Sequence, residues 1–190
     1  MIIVLTAEGS HMKDLVLVID VQNAYMKGQP WECNNTDGML GNIRSIIDSG
    51  KSDVVFTQFL APSDPVGTWC DYNTINKEIN ESEELNEIEA SLKPYLDKFP
   101  VIQKSTYSCM KSPELCAIVK KYDRLVLTGV VAECCVLATA MEAIDLGIPV
   151  VYVEDAVAGI SPETEAATRL VIAGLDYVQT KIVTTEEYLK

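Results

Sequence analysis

The stretch Leu15-Val16-Leu17-Val18-Ile19-Asp20 decides the fold, because it is an unbroken run of apolar, mostly branched residues that ends on a carboxylate. Similar apolar runs recur along the chain at 54–57, 101–102, 125–128, 150–153 and 177–178. Continuous rather than alternating hydrophobicity is typical of strands covered on both faces, as in a parallel sheet. The sequence therefore predicts a parallel sheet of about six strands.

Helical patterns lie between these runs. Apolar residues recur at helical spacing over 39–47 and 115–122, and an alanine-rich segment over 136–146 ends at Gly147. A further pattern opens at Ser161 and runs to residue 174. Strands that alternate with helices predict a single three-layer α/β domain, with helices on both faces of the sheet in a Rossmann-like topology.

The charge balance excludes several classes of partner. The 190 residues contain 15 Lys and Arg against 28 Asp and Glu, for a net charge of −13. Such a chain repels phosphate backbones and anionic membrane surfaces, so we expect a small-molecule substrate and neither nucleic acid nor membrane as a partner. Part of the acidity lies in the glutamate-rich stretch 78–96, where apolar residues recur at helical spacing and predict an amphipathic helix.

The histidine and cysteine content limits which catalytic groups and metal sites the protein can have. The single histidine, His11, lies in Gly9-Ser10-His11-Met12, a pattern typical of a cleaved expression tag, so residues 1–11 are predicted to be a tag remnant and 12–190 the domain. Histidine catalysis and imidazole metal sites are then excluded, and we expect no metal or other cofactor. Six cysteines without an export signal or repeated CxxC spacing predict a soluble, reduced, cytoplasmic protein.

Three strand ends carry reactive side chains. Asp20 ends the first run, Lys104 follows the third, and Cys134-Cys135 follow the fourth. Because the carboxyl ends of parallel strands share one edge of the sheet, these groups are candidates for a common site. A thiol in the opening turn of a helix near a lysine is expected to have a lowered pKa, and a carboxylate can accept its proton. From spacing alone the alternatives stay open: a buried cysteine in the core, Asp20 as a helix cap, and Lys104 as a surface charge.

Four segments together resemble the isochorismatase-like cysteine hydrolase superfamily. They are the first-strand motif 15–23, the loop Gly67-Thr68-Trp69, the lysine segment 104–108 and the segment 128–140 around the paired cysteines. The resemblance implies that Asp20 is the general base, Lys104 the catalytic lysine and Cys135 the nucleophile. It favours Cys135 over Cys134 because Glu133 occupies the acidic position two residues before the nucleophile, which leaves core packing to Cys134.

The same resemblance implies further features of the site. It predicts a cis peptide bond between Val130 and Val131, and an oxyanion hole formed by the backbone N–H groups of Val131 and Cys135. It also implies a homo-oligomer, a dimer or a tetramer. Aromatic residues near the strand ends are candidates to line a substrate pocket, with filling of the core as the alternative. These residues are Tyr25, Phe59, Trp69 and Tyr107.

The sequence departs from the metal-dependent nicotinamidases of that superfamily, which bind their ion through an aspartate and two histidines after the second strand. The corresponding segment 57–64 contains Asp64 but no histidine. We therefore predict a metal-independent cysteine hydrolase that cleaves a C–N bond of a small amide, ureido or carbamoyl compound through a thioester acyl-enzyme. The alternatives are an isochorismatase-type vinyl-ether hydrolase that uses Asp20 without a covalent step, and a catalytically silent member that binds a metabolite.

Overall fold

In the computed structural model, which describes residues 12–190, the core is a six-stranded parallel sheet. The strands are β1 (Asp14–Ile19), β2 (Asp53–Phe59), β3 (Val101–Lys104), β4 (Arg124–Val130), β5 (Val150–Ala158) and β6 (Thr180–Val183). Their order across the sheet is β3-β2-β1-β4-β5-β6. Every residue of β1 is buried, as the unbroken apolar run predicted. The predicted tag remnant, 1–11, lies outside the described residues.

Helices cover both faces of this sheet. They are α1 (Thr36–Asp48), α2 (Thr68–Ile75), α3 (Lys77–Asn80), α4 (Glu83–Asn86), α5 (Pro113–Val119), α6 (Leu137–Asp145), α7 (Pro162–Ala173) and α8 (Thr185–Leu189). One apolar cluster joins α1 to the sheet, α8 packs on the same side, and a second cluster joins α5, α6 and α7 to the opposite face. The predicted three-layer α/β fold is confirmed.

Sequence signals at helix starts hold in the structure. The Ser112 hydroxyl accepts from the Leu115 N–H, with Pro113 as the first residue of α5. Ser161 and Thr164 form a reciprocal capping box at the start of α7. These caps fix where the helices after β3 and β5 begin.

The sixth strand lies at a different place from the one predicted. It spans Thr180–Val183, whereas Tyr177 and Val178 are 88% and 61% exposed. The reason is a turn built on Asp176, whose backbone carbonyl accepts from the N–H groups of Gln179 and Thr180. The apolar pair therefore lies on the turn before the strand.

The glutamate-rich stretch is also not one helix. It divides into α3, α4 and a 3₁₀ turn over Ala90–Tyr95 that contains Pro94. The Ser82 hydroxyl caps α4, so a new helix begins there. Ile88 forms an isolated antiparallel bridge with Gln22. Ile88 and Leu92 are buried, whereas Leu85, Tyr95 and Leu96 are only partly buried. Short segments rather than one helical face place these residues.

From β1 the chain adds β2 and β3 on one side of the sheet and then β4, β5 and β6 on the other side. The switch point therefore lies between β1 and β4. In doubly wound sheets this switch point opens a crevice at the carboxyl ends of the strands. The two strands approach closely there: Gly129 has φ of +97°, and a Cβ atom on it would lie 2.2 Å from the Ile19 carbonyl oxygen. Glycine at position 129 therefore lets the end of β4 pack directly against the end of β1.

Candidate active site

Asp20 stands one residue beyond β1, at the switch point. Its φ is +50°, a left-handed conformation that is uncommon outside glycine and is concentrated at functional sites. The Thr57 hydroxyl donates to Asp20 Oδ1 at 2.7 Å, and the Asp20 N–H donates to the Thr57 carbonyl at 3.2 Å. Because the following 3₁₀ turn is capped at Gln22, Asp20 does not act as a helix cap. Its carboxylate is fully buried and held by β2.

Lys104 ends β3, two strands away, and its side chain reaches Asp20. The ammonium nitrogen lies 2.7 Å from Asp20 Oδ2 and donates to the carbonyls of Thr106 and Tyr107 at 2.7 and 3.0 Å. The turn after β3 thus wraps around Nζ and holds it in place. Both side chains of the pair are almost completely buried, which excludes a surface role for Lys104.

Cys135 comes from the turn after β4. A π-helical turn over Ala132–Val136 leads into α6, with the Val136 N–H donating to the Val131 carbonyl at 3.2 Å. Such turns occur frequently at functional sites. Lys104 Nζ lies 3.4 Å from Cys135 Sγ, so the three predicted catalytic side chains do meet. The peptide bond between Val130 and Val131 is cis, as predicted.

The pKa of the Cys135 thiol moves in the opposite direction from the sequence-based expectation. Burial and the nearby Asp20 charge raise it well above the ordinary value, and the opposing effect of Lys104 is smaller. For Lys104 itself, burial lowers the pKa, but the nearby Asp20 charge leaves it raised overall. The expectation of a lowered thiol pKa is therefore wrong, and a neutral thiol next to the Lys104 ammonium agrees with these directions.

A cavity of about 340 Å³ opens beside Cys135. Its lining includes Val131 and Cys135, so the two backbone positions predicted for the oxyanion hole both border the space where a carbonyl would be attacked. Asp20 and Lys104 lie behind Cys135, away from this opening. The nucleophile candidate is thus the member of the three that a ligand meets first.

Two of the four predicted pocket aromatics line this cavity. Tyr25 and Tyr107 do, whereas Phe59 and Trp69 do not. Phe59 is buried, with its ring centre 5.3 Å from Lys104 Nζ, and therefore packs beside the lysine rather than lining the cavity. Trp69 packs on Tyr107, their ring centres 5.3 Å apart, and forms an outer layer behind the lining.

Other lining residues escaped the sequence reasoning. They are Pro30, Trp31, Glu32, Tyr72, Cys134 and Ile160. Cys134 is half-buried and faces the cavity as well as the core, so core packing alone is not its role. Trp31 and Tyr72 come from a loop and from α2 rather than from strand ends. Their aromatic character next to the Tyr25 and Trp69 motifs was the signal that could have identified them.

Two carboxylates brace one wall of the cavity. Glu133 Oε1 accepts from the Ile160 N–H at 3.2 Å, and Glu165 Oε1 accepts from the Gly159 N–H at 2.9 Å. The second oxygen of Glu133 is buried without a hydrogen-bond partner in the described part of the chain. Burial, with a smaller contribution from the charges of Glu133 and Glu165, raises the pKa of Cys33 to about 12. The two glutamates therefore place carboxylate groups behind this wall of the cavity.

The donor set does not fit a metal ion. Within residues 12–190 no three His, Cys, Asp or Glu side chains are grouped so that they could hold one. Asp64, the candidate left by the nicotinamidase comparison, is exposed on a loop. Lys104 supplies a positive charge next to the thiol.

Over the same residues, the structure contains no helix with the length and apolar character needed to cross a bilayer.

Comparisons with known proteins agree on the fold. An isochorismatase-like hydrolase from Alkaliphilus metalliredigens is 20% identical, with 93% of this chain and 97% of that chain covered and a TM-score of 0.74. A cysteine hydrolase from Pseudomonas syringae pv. phaseolicola is 18% identical, with 93% and 91% covered and a TM-score of 0.80. The nicotinamidase/pyrazinamidase PncA from Bacillus subtilis is 19% identical, with 90% and 100% covered and a TM-score of 0.73.

A search of curated proteins gave no match. The family model of the isochorismatase domain, however, matches residues 14–187, which is nearly the whole described chain. That span contains all six strands and the three side chains gathered at the switch point. The chain therefore belongs to the isochorismatase domain family, and it is a hydrolase of that family.

Proposed function

We propose that this hydrolase uses Cys135 as a nucleophile to cleave a C–N bond of a small amide, ureido or carbamoyl compound without a metal ion. The observation that carries the proposal is the position of Lys104 Nζ, 2.7 Å from Asp20 Oδ2 and 3.4 Å from a sulfur that borders the cavity. A base, a cation and a nucleophile are thus assembled without histidine.

The first half-reaction begins from the neutral thiol. Asp20 accepts the thiol proton as the Cys135 sulfur bonds to the substrate carbonyl carbon, and Lys104 offsets the charge that develops on sulfur. The carbonyl electron pair moves onto oxygen, where the Val131 and Cys135 N–H groups are the proposed donors. When the oxyanion collapses, the C–N bond breaks and Asp20 returns the proton to the leaving nitrogen. The products are ammonia or an amine and a thioester.

The second half-reaction regenerates the enzyme. Asp20 removes a proton from water as the water oxygen attacks the thioester carbonyl, and the same donors receive the oxyanion. Collapse breaks the C–S bond, and the departing sulfur takes the proton back from Asp20. Lys104 keeps its charge throughout, which agrees with its raised pKa.

The test is ammonia release across a panel of small amides, with and without a chelator. Cys135→Ala is expected to lower turnover by about a thousandfold or more, as loss of a nucleophile typically does, whereas the exposed Cys70→Ala serves as the matched control. Intact mass of the wild-type protein quenched during turnover should show the acyl adduct. Undiminished ammonia release by Cys135→Ala would reject the covalent step, whereas a wild type that is inert on every amide would favour the vinyl-ether hydrolase or a metabolite-binding role.

We further propose a cytoplasmic location and a homo-oligomeric state. All six cysteines are free, which supports a reducing compartment. Exposed apolar side chains such as Leu170 and Tyr177 support a protein contact on that side of the domain.

A further inference from the structure

We propose that the substrate is an amide whose non-reacting end carries a positively charged alkylammonium group, seated among the aromatic rings of the cavity. This inference rests on the proposed function, because it names the substrate class for the same site. It is carried by the ring geometry, the charge of the lining and the surroundings of Lys104.

The aromatic residues at the cavity form a continuous series. Ring centres lie 5.3 Å apart for Tyr25 and Trp31, 6.4 Å for Trp31 and Tyr72, and 5.0 Å for Tyr72 and Trp69, which in turn contacts Tyr107. The Trp31 indole N–H donates to the Asn76 side chain at 3.3 Å, which fixes the orientation of the ring. Four of these residues, Tyr25, Trp31, Tyr72 and Tyr107, line the one cavity, and a cluster of aromatic rings around one space is the arrangement that binds quaternary ammonium groups.

The charge of the lining favours a cation over an anion. Glu32 is the ionisable acid that lines the cavity, and no lysine or arginine lines it in the described chain. Lys104 is not available to an anionic ligand, because it is buried and paired with Asp20. Glu133 and Glu165 lie behind the adjacent wall. A substrate carboxylate would therefore be desolvated without a partner, whereas a cation meets rings and negative potential.

The size of the cavity agrees with this assignment. About 340 Å³ is at the small end of the range for small-molecule sites and accommodates a short amide with a trimethylammonium head. Such a head has no N–H donors, so it needs no hydrogen-bond acceptor and suits an apolar aromatic wall. The amide carbonyl then lies toward Cys135 at the far end.

Binding can be tested apart from turnover with a pair of isosteric probes. Choline and 3,3-dimethylbutan-1-ol have the same shape and differ in charge, and both are titrated calorimetrically into the full-length Cys135→Ala protein. We expect choline to bind about tenfold more tightly. Equal affinity, or tighter binding of the neutral alcohol, would overturn the proposal.

Single substitutions test which residues cause the preference for choline over the neutral alcohol. Trp31→Leu is expected to abolish most of the charge preference, and Glu32→Gln to reduce it by about threefold with a weaker dependence on salt. Tyr177→Leu, which removes an aromatic ring far from the cavity, is the matched control and should keep the preference. Circular dichroism confirms that each variant is folded. A folded Trp31→Leu protein that still prefers choline would contradict the aromatic site.

Turnover separates this inference from the proposed function. Ammonia release is compared for betaine amide and its neutral isostere 3,3-dimethylbutanamide in the wild type. Hydrolysis of both without a charge preference in the binding experiment would leave the hydrolase function standing and overturn the cation site. Tight choline binding with no hydrolysis of either amide, and none across the amide panel, would leave the cation site standing and overturn the proposed C–N cleavage.

Discussion

Strand β1 has an aspartate at each end, and each aspartate meets a cation from another strand. At the amino end, Asp14 accepts from Arg124 through two hydrogen bonds of 2.7 and 2.8 Å, and the Tyr188 hydroxyl adds a third contact at 3.2 Å. At the carboxyl end, Asp20 and Lys104 share one contact of 2.7 Å.

The two ion pairs differ in burial and in whether both carboxylate oxygens are hydrogen-bonded. Arg124 keeps about a quarter of its side chain exposed, and both Asp14 oxygens are hydrogen-bonded. The Asp20–Lys104 pair is closed to water, yet Asp20 Oδ2 has the ammonium as a neighbour without hydrogen-bond geometry, and a thiol lies beside it. In the Asp14 pair both carboxylate oxygens are hydrogen-bonded, whereas Asp20 Oδ2 is free to accept the proton that the proposed reaction would deliver.

Replacement of each aspartate by asparagine is expected to give the largest difference between the two ends of β1. Asp20→Asn removes the group proposed to accept and return protons, so we expect kcat to fall about a thousandfold. Asp14→Asn, about 20 Å away along β1, should leave kcat within about twofold. Steady-state ammonia release measures both variants, after thermal melting has shown that each is folded. Similar losses in the two proteins would contradict the division of roles.

Removing the cations compares the two pairs by stability. Lys104→Met leaves the buried Asp20 charge without compensation, so we expect the free energy of unfolding to fall by about 3–5 kcal/mol in urea denaturation. Adding Asp20→Asn to that variant removes the orphaned charge and should recover most of the loss without restoring activity. A double variant no more stable than Lys104→Met would show that the pair is not coupled.

The sequence was sufficient for the framework of the site. Lys104 ends a strand of the parallel sheet, and Asp20 and Cys135 follow two others, so the shared direction of the strands brings all three to one edge. The apolar runs specify the strands because both faces of this sheet are buried, which makes their hydrophobicity continuous.

The cavity lining, the pKa of Cys135 and the position of β6 depended on three-dimensional geometry that local sequence patterns do not encode. Trp31 and Tyr72 reach the cavity from a loop and a short helix whose paths no periodicity specifies. The direction of the Cys135 pKa shift depended on how deeply the sulfur is buried, and burial outweighs the neighbouring lysine. The position of β6 depended on a turn at Asp176, since the more apolar pair beside it is the exposed one.

Alkaline pH should act on the Asp20 end of the molecule. Burial raises the pKa of Cys109, which lies close to Lys104 and Asp20, to about 11. Between pH 9 and 11 the unfolded chain loses this proton while the folded protein keeps it. The free energy of unfolding should therefore fall as pH rises, by up to about 1.4 kcal/mol per pH unit for this thiol.

Urea denaturation from pH 8.5 to 10.5 measures this slope. Cys109→Ala is expected to flatten it by that amount, even though the lost packing lowers stability at every pH. The exposed Cys70→Ala should leave the slope unchanged. A slope that is the same in Cys109→Ala and in the parent protein would assign the alkaline sensitivity to other groups.

The smallest effect is expected from the amino-end cation. Arg124→Met removes two charge-assisted hydrogen bonds, but Asp14 stays near solvent and keeps the Tyr188 hydroxyl, so we expect the free energy of unfolding to fall by about 1 kcal/mol. The loss should shrink in 0.5 M salt, because water and ions reach this pair, whereas the loss in Lys104→Met should not. Urea denaturation at two salt concentrations measures both. A salt-independent loss of 3 kcal/mol or more in Arg124→Met would be on the scale of a broken buried pair. The two ion pairs would then contribute equally to stability, and they would differ only in their role in the reaction.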